Sequence, residues 1–238
     1  MELTGLVDTK RGSEAGAGGV GWIGGEALER EALLLSMVGK CGEIKGRKKF
    51  QKMLYVAKAM GYPVREDFEW ANYGVFSSQL QTEIDSLVND EKILEVDISG
   101  AERPEYRYTL TRKGAETVEE LDRIAGILSS GVAREGGVIQ LNRGENLATL
   151  VGNQEMEALF KFLEYLNAQS TRILELWSSL LYLRLTEKNE QNLISFLHYL
   201  KPQYSREEIS EGIAEVEELA RWEFGRVRES GAPGAENE

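Results

Sequence analysis

Apolar side chains recur at helical spacing through the first third of the chain. Intervals of three and four residues over 26–38 and again over 46–60 predict two amphipathic helices. A third helix is predicted over 76–90, because Ser77 is a candidate N-cap ahead of an apolar stripe that begins at Leu80. Three helices therefore precede any other pattern.

The spacing then changes from helical to alternating. An apolar run over 92–98 is followed by a turn-rich stretch over 99–104, and in 105–110 the aromatic and apolar residues alternate with polar ones. This pattern predicts a two-stranded hairpin with a polar tip. Helical spacing returns from Arg112 to about Leu128.

The second half of the chain is predicted to be helical throughout. A helical pattern over 154–185 is expected to bend near residues 167–170, and a further helix is predicted over 192–200. Ser205 and Glu208 have the spacing of a capping box, which predicts the start of a last helix that runs to about Phe224.

These elements predict a mainly α fold with a small β-hairpin. Three helices followed by a hairpin have the order of a winged helix-turn-helix domain, here followed by a C-terminal helical segment. Glycine-rich and polar stretches supply the boundaries. We expect a flexible glycine-rich arm over 1–25, a winged-helix-like domain over 26–130, a linker over 131–152, a C-terminal helical segment over 153–225 and a disordered tail over 226–238.

Composition narrows the chemistry of this 238-residue chain. The single cysteine, Cys41, excludes an intramolecular disulfide framework and a cysteine-rich zinc site, and the single histidine, His198, excludes metal motifs with two histidines. The GxGxxG match at 19–24 follows a polar, glycine-rich stretch instead of a β-strand, so a flexible arm is the better interpretation. We predict no catalytic residue, cofactor or metal, and therefore no enzyme.

No run approaches the roughly 20 apolar residues of a membrane-spanning helix. The first 25 residues are rich in glycine and lack the apolar core of a signal peptide. We expect a cytoplasmic protein that has no membrane partner.

Charge is distributed unevenly. The whole chain carries −12, but residues 40–65 contain eight basic residues and one acidic residue, which gives this window +7 and leaves −19 elsewhere. A positively charged window of this kind can bind phosphate, an acidic partner, or the acidic C-terminal helix of the same chain. The candidate partner-binding residues in it form what we call the basic face: Lys45, Arg47, Lys48, Lys49 and Lys52.

Duplex DNA is a less favoured partner. In a winged-helix reader, the helix over 76–90 would enter the major groove, yet it carries a net charge of −3 and no lysine or arginine. Gln79 in this helix, and Arg103 and Arg107 near the hairpin tip, remain candidate nucleic-acid contacts. A DNA-binding transcriptional regulator is thus kept as the alternative function.

Short motifs resemble a known family. GRKKFQKMLY at 46–55 and YGVFSSQL at 73–80 resemble segments of the YwgA-type family of bacterial proteins, and more distantly of the Panacea or SocA-like antitoxin domain. The segments at 174–183 and 201–205 resemble later helices of the same families. Val75 departs from the pattern, since the families usually have proline there.

The resemblance implies a non-catalytic role. The YwgA-type family has no established activity, whereas the antitoxin-like relatives imply toxin neutralisation or adaptor-type protein binding. We therefore expect a non-enzymatic regulatory or adaptor protein that acts through protein–protein contact, and a homodimer is also compatible with the sequence. Besides the basic face, an aromatic strip is a candidate surface: Phe68, Trp70, Tyr73 and Phe76.

Overall fold

Helices make up most of the computed structural model, which describes residues 23–72, 74–99, 105–129 and 154–230. Eight helices and five short strands lie in these ranges. In chain order they are α1 (Ile23–Cys41), β1 (Glu43–Lys45), α2 (Arg47–Ala59), β2 (Glu69–Ala71), β3 (Gly74–Phe76), α3 (Ser78–Asn89), β4 (Ile93–Asp97), β5 (Tyr106–Leu110), α4 (Arg112–Ser129), α5 (Gln154–Ala168), α6 (Thr171–Leu183), α7 (Glu190–Leu200) and α8 (Arg206–Ser230). The expectation of a mainly helical protein with a small antiparallel β-element is confirmed.

The predicted hairpin is present and gains a third strand. β4 and β5 pair antiparallel, from Ile93 opposite Leu110 to Asp97 opposite Tyr106. β1 pairs antiparallel with the other edge of β5, so that Ile44 lies opposite Tyr108 and the strand order is β1-β5-β4. β1 was not predicted, because three residues are too few to display an alternating pattern.

A second hairpin interrupts the path from α2 to α3. β2 and β3 pair antiparallel, with Trp70 opposite Val75. This hairpin was also not predicted, since each strand has three residues. It separates α2 from α3 by far more than the three or four residues of an ordinary helix-turn-helix turn.

The predicted helix starts at Ser77 and Ser205 are confirmed. The Ser77 hydroxyl accepts a hydrogen bond from the Leu80 N–H at 3.3 Å. Ser205 and Glu208 form the reciprocal capping box: the Ser205 N–H donates to the Glu208 carboxylate at 2.8 Å and the Glu208 N–H donates to the Ser205 hydroxyl at 3.1 Å. The break between α5 and α6 lies at the predicted bend, and Ser170 caps α6.

α2 occupies the centre of the fold. Every residue from Phe50 to Ala57 is buried. The helix packs mainly on α6 and also contacts α5, β3 and β1. One apolar cluster includes residues from α1 and α2 together with residues from α5 through α8, so the core is shared by the two predicted parts of the chain.

Some predicted boundaries differ from the observed ones. α1 begins at Ile23, inside the expected arm, and α8 continues to Ser230, beyond the expected start of the tail at residue 226. Residues 1–22, the expected linker over 131–152 and residues 231–238 lie outside the described residues. Within the described ranges, no helix combines the length and apolar character needed to cross a membrane.

Gly114 allows α4 to pack tightly on the three-stranded sheet. A Cβ at this position would lie 2.1 Å from the carbonyl oxygen of Lys92 and 2.8 Å from Leu110 Cδ1. At Gly39 in α1, a Cβ would meet only the end of the Leu110 side chain, Cδ2, at 3.3 Å. The two glycines therefore differ in whether the obstructing atom is backbone or a flexible side chain.

We predict that Gly114→Ala destabilises the protein by about 3 kcal/mol, because the Lys92 backbone must move to admit the methyl group. Gly39→Ala is the matched control and should change stability by less than about 1 kcal/mol, since alanine favours the helix and the leucine end can shift. Urea unfolding measures both values. Equal effects of the two substitutions would contradict this account of the α4 contact.

Candidate binding site at the β2–β3 hairpin

Arg47 is half-exposed, and its guanidinium group is bonded to side chains of the same chain. Its Nη2 donates to Glu95 Oε2 at 2.8 Å, its Nε donates to the Tyr108 hydroxyl at 2.9 Å, and its Nη1 lies 3.5 Å from Asp85 Oδ1. The Tyr108 hydroxyl in turn donates to Glu95 at 2.5 Å. These bonds tie the first turn of α2 to β4, β5 and α3, and they balance the guanidinium charge.

Lys49 is also committed to an internal contact. Its ammonium group donates to the carbonyl oxygen of Asn167 at the end of α5, at 2.5 Å. The Asn167 amide donates to the Glu43 carbonyl at 2.8 Å. Burial lowers the pKa of Lys49. This cation therefore joins α2 to α5, and the carboxylates that balance Arg47 belong to α3 and β4. In the part of the chain that the structure describes, neither residue is bonded to the acidic helix α8, which the sequence offered as an intramolecular partner.

Lys52 corrects the expected extent of the basic face. Its side chain is buried at 3% exposure, and its ammonium group donates to the Val75 carbonyl oxygen at 2.5 Å. Gln51 beside it bonds both the N–H and the C=O of Ser77, at 2.8 and 3.0 Å. The i,i+3/i+4 pattern placed Lys52 on the polar side of α2, but the β2–β3 hairpin covers that side.

Two residues of the basic face stay on the surface. Lys45 and Lys48 are exposed, and the Lys45 ammonium lies 3.1 Å from Glu43. Of the candidate nucleic-acid contacts, Gln79 donates to Glu83 at 3.2 Å and Arg107 lies 3.8 Å from Glu43. Arg103 and Tyr73 lie outside the described residues.

The described members of the aromatic strip are half-buried. Phe68 makes an edge contact with Tyr55, with ring centroids 5.2 Å apart, and Trp70 lies 5.6 Å from the Tyr182 ring. Phe76 lines a cavity beside α2. The strip thus anchors the β2–β3 hairpin on α2 and α6 while leaving part of each ring accessible.

Two open cavities flank the β2–β3 hairpin. The first has a volume of about 340 Å³ and lies between the hairpin and α2. The second, of about 400 Å³, lies between the hairpin and the ends of α6 and α7. Ala71, Asn72 and Gly74 line both. The first is further lined by Arg47, Lys48, Gln51, Lys52, Val75, Phe76 and Gln81, and the second by Trp70, Glu175, Leu200, Lys201 and Gln203.

Gly74 lies where these cavities meet. Its φ of 91° is in the left-handed region that favours glycine. The position that a Cβ would occupy is 3.2 Å from Lys201 Nζ and 3.5 Å from Lys52 Nζ. Lys201 is also buried, forms an ion pair with Glu175 and lies 5.9 Å from the centroid of the Trp70 ring.

The electrostatics of this junction disfavour the charged form of Lys52. Burial, which is the largest cause, and the neighbouring charges of Lys201 and Lys48 together lower the pKa of Lys52 to about 8, while Glu175 opposes this shift. The described residues place no carboxylate in ion-pair contact with the Lys52 ammonium group. Lys52 and Lys201 therefore both interact electrostatically with the carboxylate of Glu175.

Sequence reasoning missed Lys201 and Glu175. They lie in segments that were matched to the family, but they are separated from Lys52 by more than 100 residues, and no local pattern links them to α2. The one local signal for this site was Gly74, which follows a tyrosine in the YGVFSSQL segment at 73–80. Among the described residues, no group of three or more histidine, cysteine, aspartate or glutamate side chains is arranged to hold a metal ion.

Comparison with known proteins finds a relative of similar length. The chain is 29% identical over 192 residues to the Uncharacterized protein YwgA of Bacillus subtilis (strain 168), and the match covers 81% of this chain and 97% of that protein. No family model matches the chain. The similarity supports a relationship to a YwgA-type family, as the motifs predicted.

The lowered pKa of Lys52 predicts that the contribution of this residue to stability rises with pH. Between about pH 8 and the ordinary lysine pKa near 10.4, the unfolded chain binds more protons at this residue than the folded chain, so this residue's contribution to the free energy of unfolding rises with pH. From about pH 7 to about pH 9.5, the wild type should gain roughly 2 kcal/mol relative to Lys52→Met. Chemical denaturation at each pH gives the two curves.

Lys58→Met is the matched control for this measurement. Lys58 lies on the same helix and also donates to a backbone carbonyl, that of Glu66, but it does not line either cavity. The control variant keeps Lys52 and should follow the wild-type curve. Parallel curves of unfolding free energy against pH for the wild type and Lys52→Met would contradict the lowered pKa of Lys52.

Proposed function

We propose that the protein is a non-enzymatic regulatory or adaptor protein that works by contact with another protein. The observation that supports this proposal is the open cleft formed by the two cavities that flank the β2–β3 hairpin. Exposed Lys48 lies at its edge, and half-buried Phe76 and Trp70 supply apolar surface on either side of the hairpin. Aromatic side chains with a basic residue at the edge are typical of the centre of protein interfaces.

The partner that fits this cleft is an acidic segment that carries an apolar side chain. Its carboxylates would meet Lys48, and its apolar group would contact the accessible part of Phe76. Arg47, Lys49 and Lys52 are not offered to such a partner, because each is engaged in an internal contact. An antitoxin-like role, as in the Panacea or SocA-like domain, is one form that this contact would take.

A DNA-binding regulator is the second candidate function, because the order of helices and strands resembles that of a winged-helix domain. α1, α2 and α3, the β4–β5 hairpin and the added strand β1 support a winged-helix arrangement for the N-terminal half. The charges argue against its use on duplex DNA. Gln79 and Arg107 face acidic side chains of the same chain, and α3 carries Glu83 and Asp85.

DNA binding would make affinity fall by several powers of ten between low and moderate salt if about 6–10 phosphates were contacted. A gel-shift titration of genomic fragments over this salt range measures it. We expect no shifted band even at the lowest salt. A salt-sensitive shift that is lost in Arg107→Gln would favour the DNA-binding alternative instead.

Charge reversal at Lys48 tests the protein-contact proposal. We predict that Lys48→Glu lowers the amount of partner recovered with the tagged full-length protein at least about tenfold, because it places like charges across the interface. The melting temperature should change by less than about 2 °C, since an exposed substitution has a small effect on stability. Quantitative mass spectrometry of the recovered proteins gives the ratio.

Lys113→Glu is the control for this experiment. Lys113 is an exposed lysine on α4 whose ammonium group donates to the Asp90 carbonyl oxygen, and it lines neither cavity. This variant should recover the same proteins as the wild type. The proposal would be refuted if the wild type, Lys48→Glu and Lys113→Glu all recovered the same set of proteins in the same amounts.

A further inference from the structure

Lys52 is a buried amine that borders an open cavity. Its side chain is 3% exposed, and it lines the cavity of about 340 Å³ between the β2–β3 hairpin and α2. Ala71, Val75 and Phe76 supply apolar walls to the same cavity. A reagent that reaches the Lys52 nitrogen must therefore pass through a space that admits small, partly apolar molecules.

The contacts of this nitrogen do not include an ion pair. Its Nζ donates to the Val75 carbonyl oxygen at 2.5 Å, and the described residues place no carboxylate in ion-pair contact with it. The Nζ atoms of Lys52 and Lys201 both lie within 3.5 Å of the position that a Cβ on Gly74 would occupy, so a second cation is close by. Burial first, and then the charge of Lys201, disfavour the ammonium form and lower the pKa of Lys52 to about 8.

An uncharged amine in such a place is a nucleophile. The unprotonated form carries the lone pair that attacks a carbonyl carbon, and lysines become reactive when they are desolvated in an apolar pocket or lie beside another cation. With a pKa of about 8, about a quarter of Lys52 is unprotonated at about pH 7.5, against about 0.1% for a lysine with the ordinary pKa. The fold therefore raises the share of the reactive form roughly two-hundredfold.

The hydrogen bond to Val75 selects the kind of electrophile. An aldehyde would give a neutral imine, whose nitrogen keeps no hydrogen, and the Val75 carbonyl oxygen would lose its donor. Alkylation would keep the hydrogen but also the buried charge. Acylation gives an amide, which loses the charge and keeps one N–H. Of these three products, the amide alone removes the buried charge and preserves the hydrogen bond.

The size of the cavity then limits the acyl donor. A volume of about 340 Å³ can hold a compact acyl phosphate as a whole, whereas a long thioester carrier such as coenzyme A would extend beyond it. We propose that Lys52 is a modification site that accepts a small acyl group from a compact acyl phosphate.

The reaction at Lys52 transfers the acyl group to nitrogen and releases phosphate. The lone pair of Nζ attacks the acyl carbon, the bond between that carbon and the bridging phosphate oxygen breaks, and phosphate leaves with the electron pair. One hydrogen of the amine passes to water as a proton. The acyl group then lies in the cavity beside Phe76, and the remaining N–H donates to the Val75 carbonyl oxygen.

The rate of acetylation at each lysine tests the proposal. The purified full-length chain is incubated with acetyl phosphate at about pH 7.5, and peptide mass spectrometry follows each site. We expect Lys52 to react at least about tenfold faster than Lys58 and Lys113, because its unprotonated share is larger. Lys58 lies on the same helix and Lys113 is exposed; both donate to backbone carbonyl oxygens, and neither lines a cavity beside the hairpin.

Two conditions separate this site from ordinary surface acylation. In guanidinium chloride, the three lysines should react at similar rates, because the burial that lowers the pKa of Lys52 is lost. In the folded chain, the rate at Lys52 should level off above about pH 8, while the rates at Lys58 and Lys113 keep rising toward about pH 10.4. Lys52→Met should lose this modification and leave the rates at the other two lysines unchanged.

A second donor tests the size limit. Acetyl-coenzyme A carries the same acyl group on a carrier that is larger than the cavity. At the same concentration, it should acetylate Lys52 no faster than Lys113, because Lys52 is reached through the cavity and Lys113 is exposed.

Three outcomes would overturn the proposal. The first is acetylation of Lys52 at or below the rate of Lys113 when the folded chain reacts with acetyl phosphate. The second is a preference for Lys52 that persists in guanidinium chloride, which would assign it to local sequence. The third is an equal preference for Lys52 with acetyl-coenzyme A, which would remove the size limit. No protein partner enters these measurements, so their result stands apart from that of the partner-recovery experiment.

Discussion

The burial of α2 on nearly all sides is the constraint from which the rest of the structure follows. A helix with one solvated face can leave its lysines in water, but here Phe50 through Ala57 are enclosed by α5, α6 and the β2–β3 hairpin. Each polar group on the enclosed side must then find an internal partner. Gln51 bonds Ser77 and Lys52 bonds Val75, and these two contacts hold the hairpin against the helix.

The burial of α2 also changes how the positively charged window over residues 40–65 is interpreted. Its charge as counted along the chain suggested an accessible surface, but Arg47, Lys49 and Lys52 are each bonded to a distant part of the same chain. Arg47 and Lys49 connect α2 to the sheet and to α5, at carboxylates and a carbonyl group that occur far away in sequence. These charges therefore stabilise the tertiary structure, and Lys45 and Lys48 are the exposed members of the basic face.

The sequence predicts those features that depend on local patterns. Helix spans, the Ser205–Glu208 capping box and the β4–β5 hairpin are encoded within a few residues, and they are confirmed. Strands of three residues are too short to show an alternating pattern, and the pairing of β1 with β5 depends on contacts across more than 60 residues. The candidate site also depends on contacts between distant residues, because Lys52, Glu175 and Lys201 meet only in the folded chain.

The sharing of α2 between both halves of the chain also bears on how the protein is made. While a ribosome has released only the residues up to β5, the apolar side chains of α2 that face α6 have no partner, since α6 begins at Thr171. The nascent chain must hold this surface in a partly collapsed state, the kind of intermediate that is open to aggregation or chaperone capture. Synthesis of the second half then completes the core, and cleaving the chain between the halves would leave two fragments that each expose one side of it.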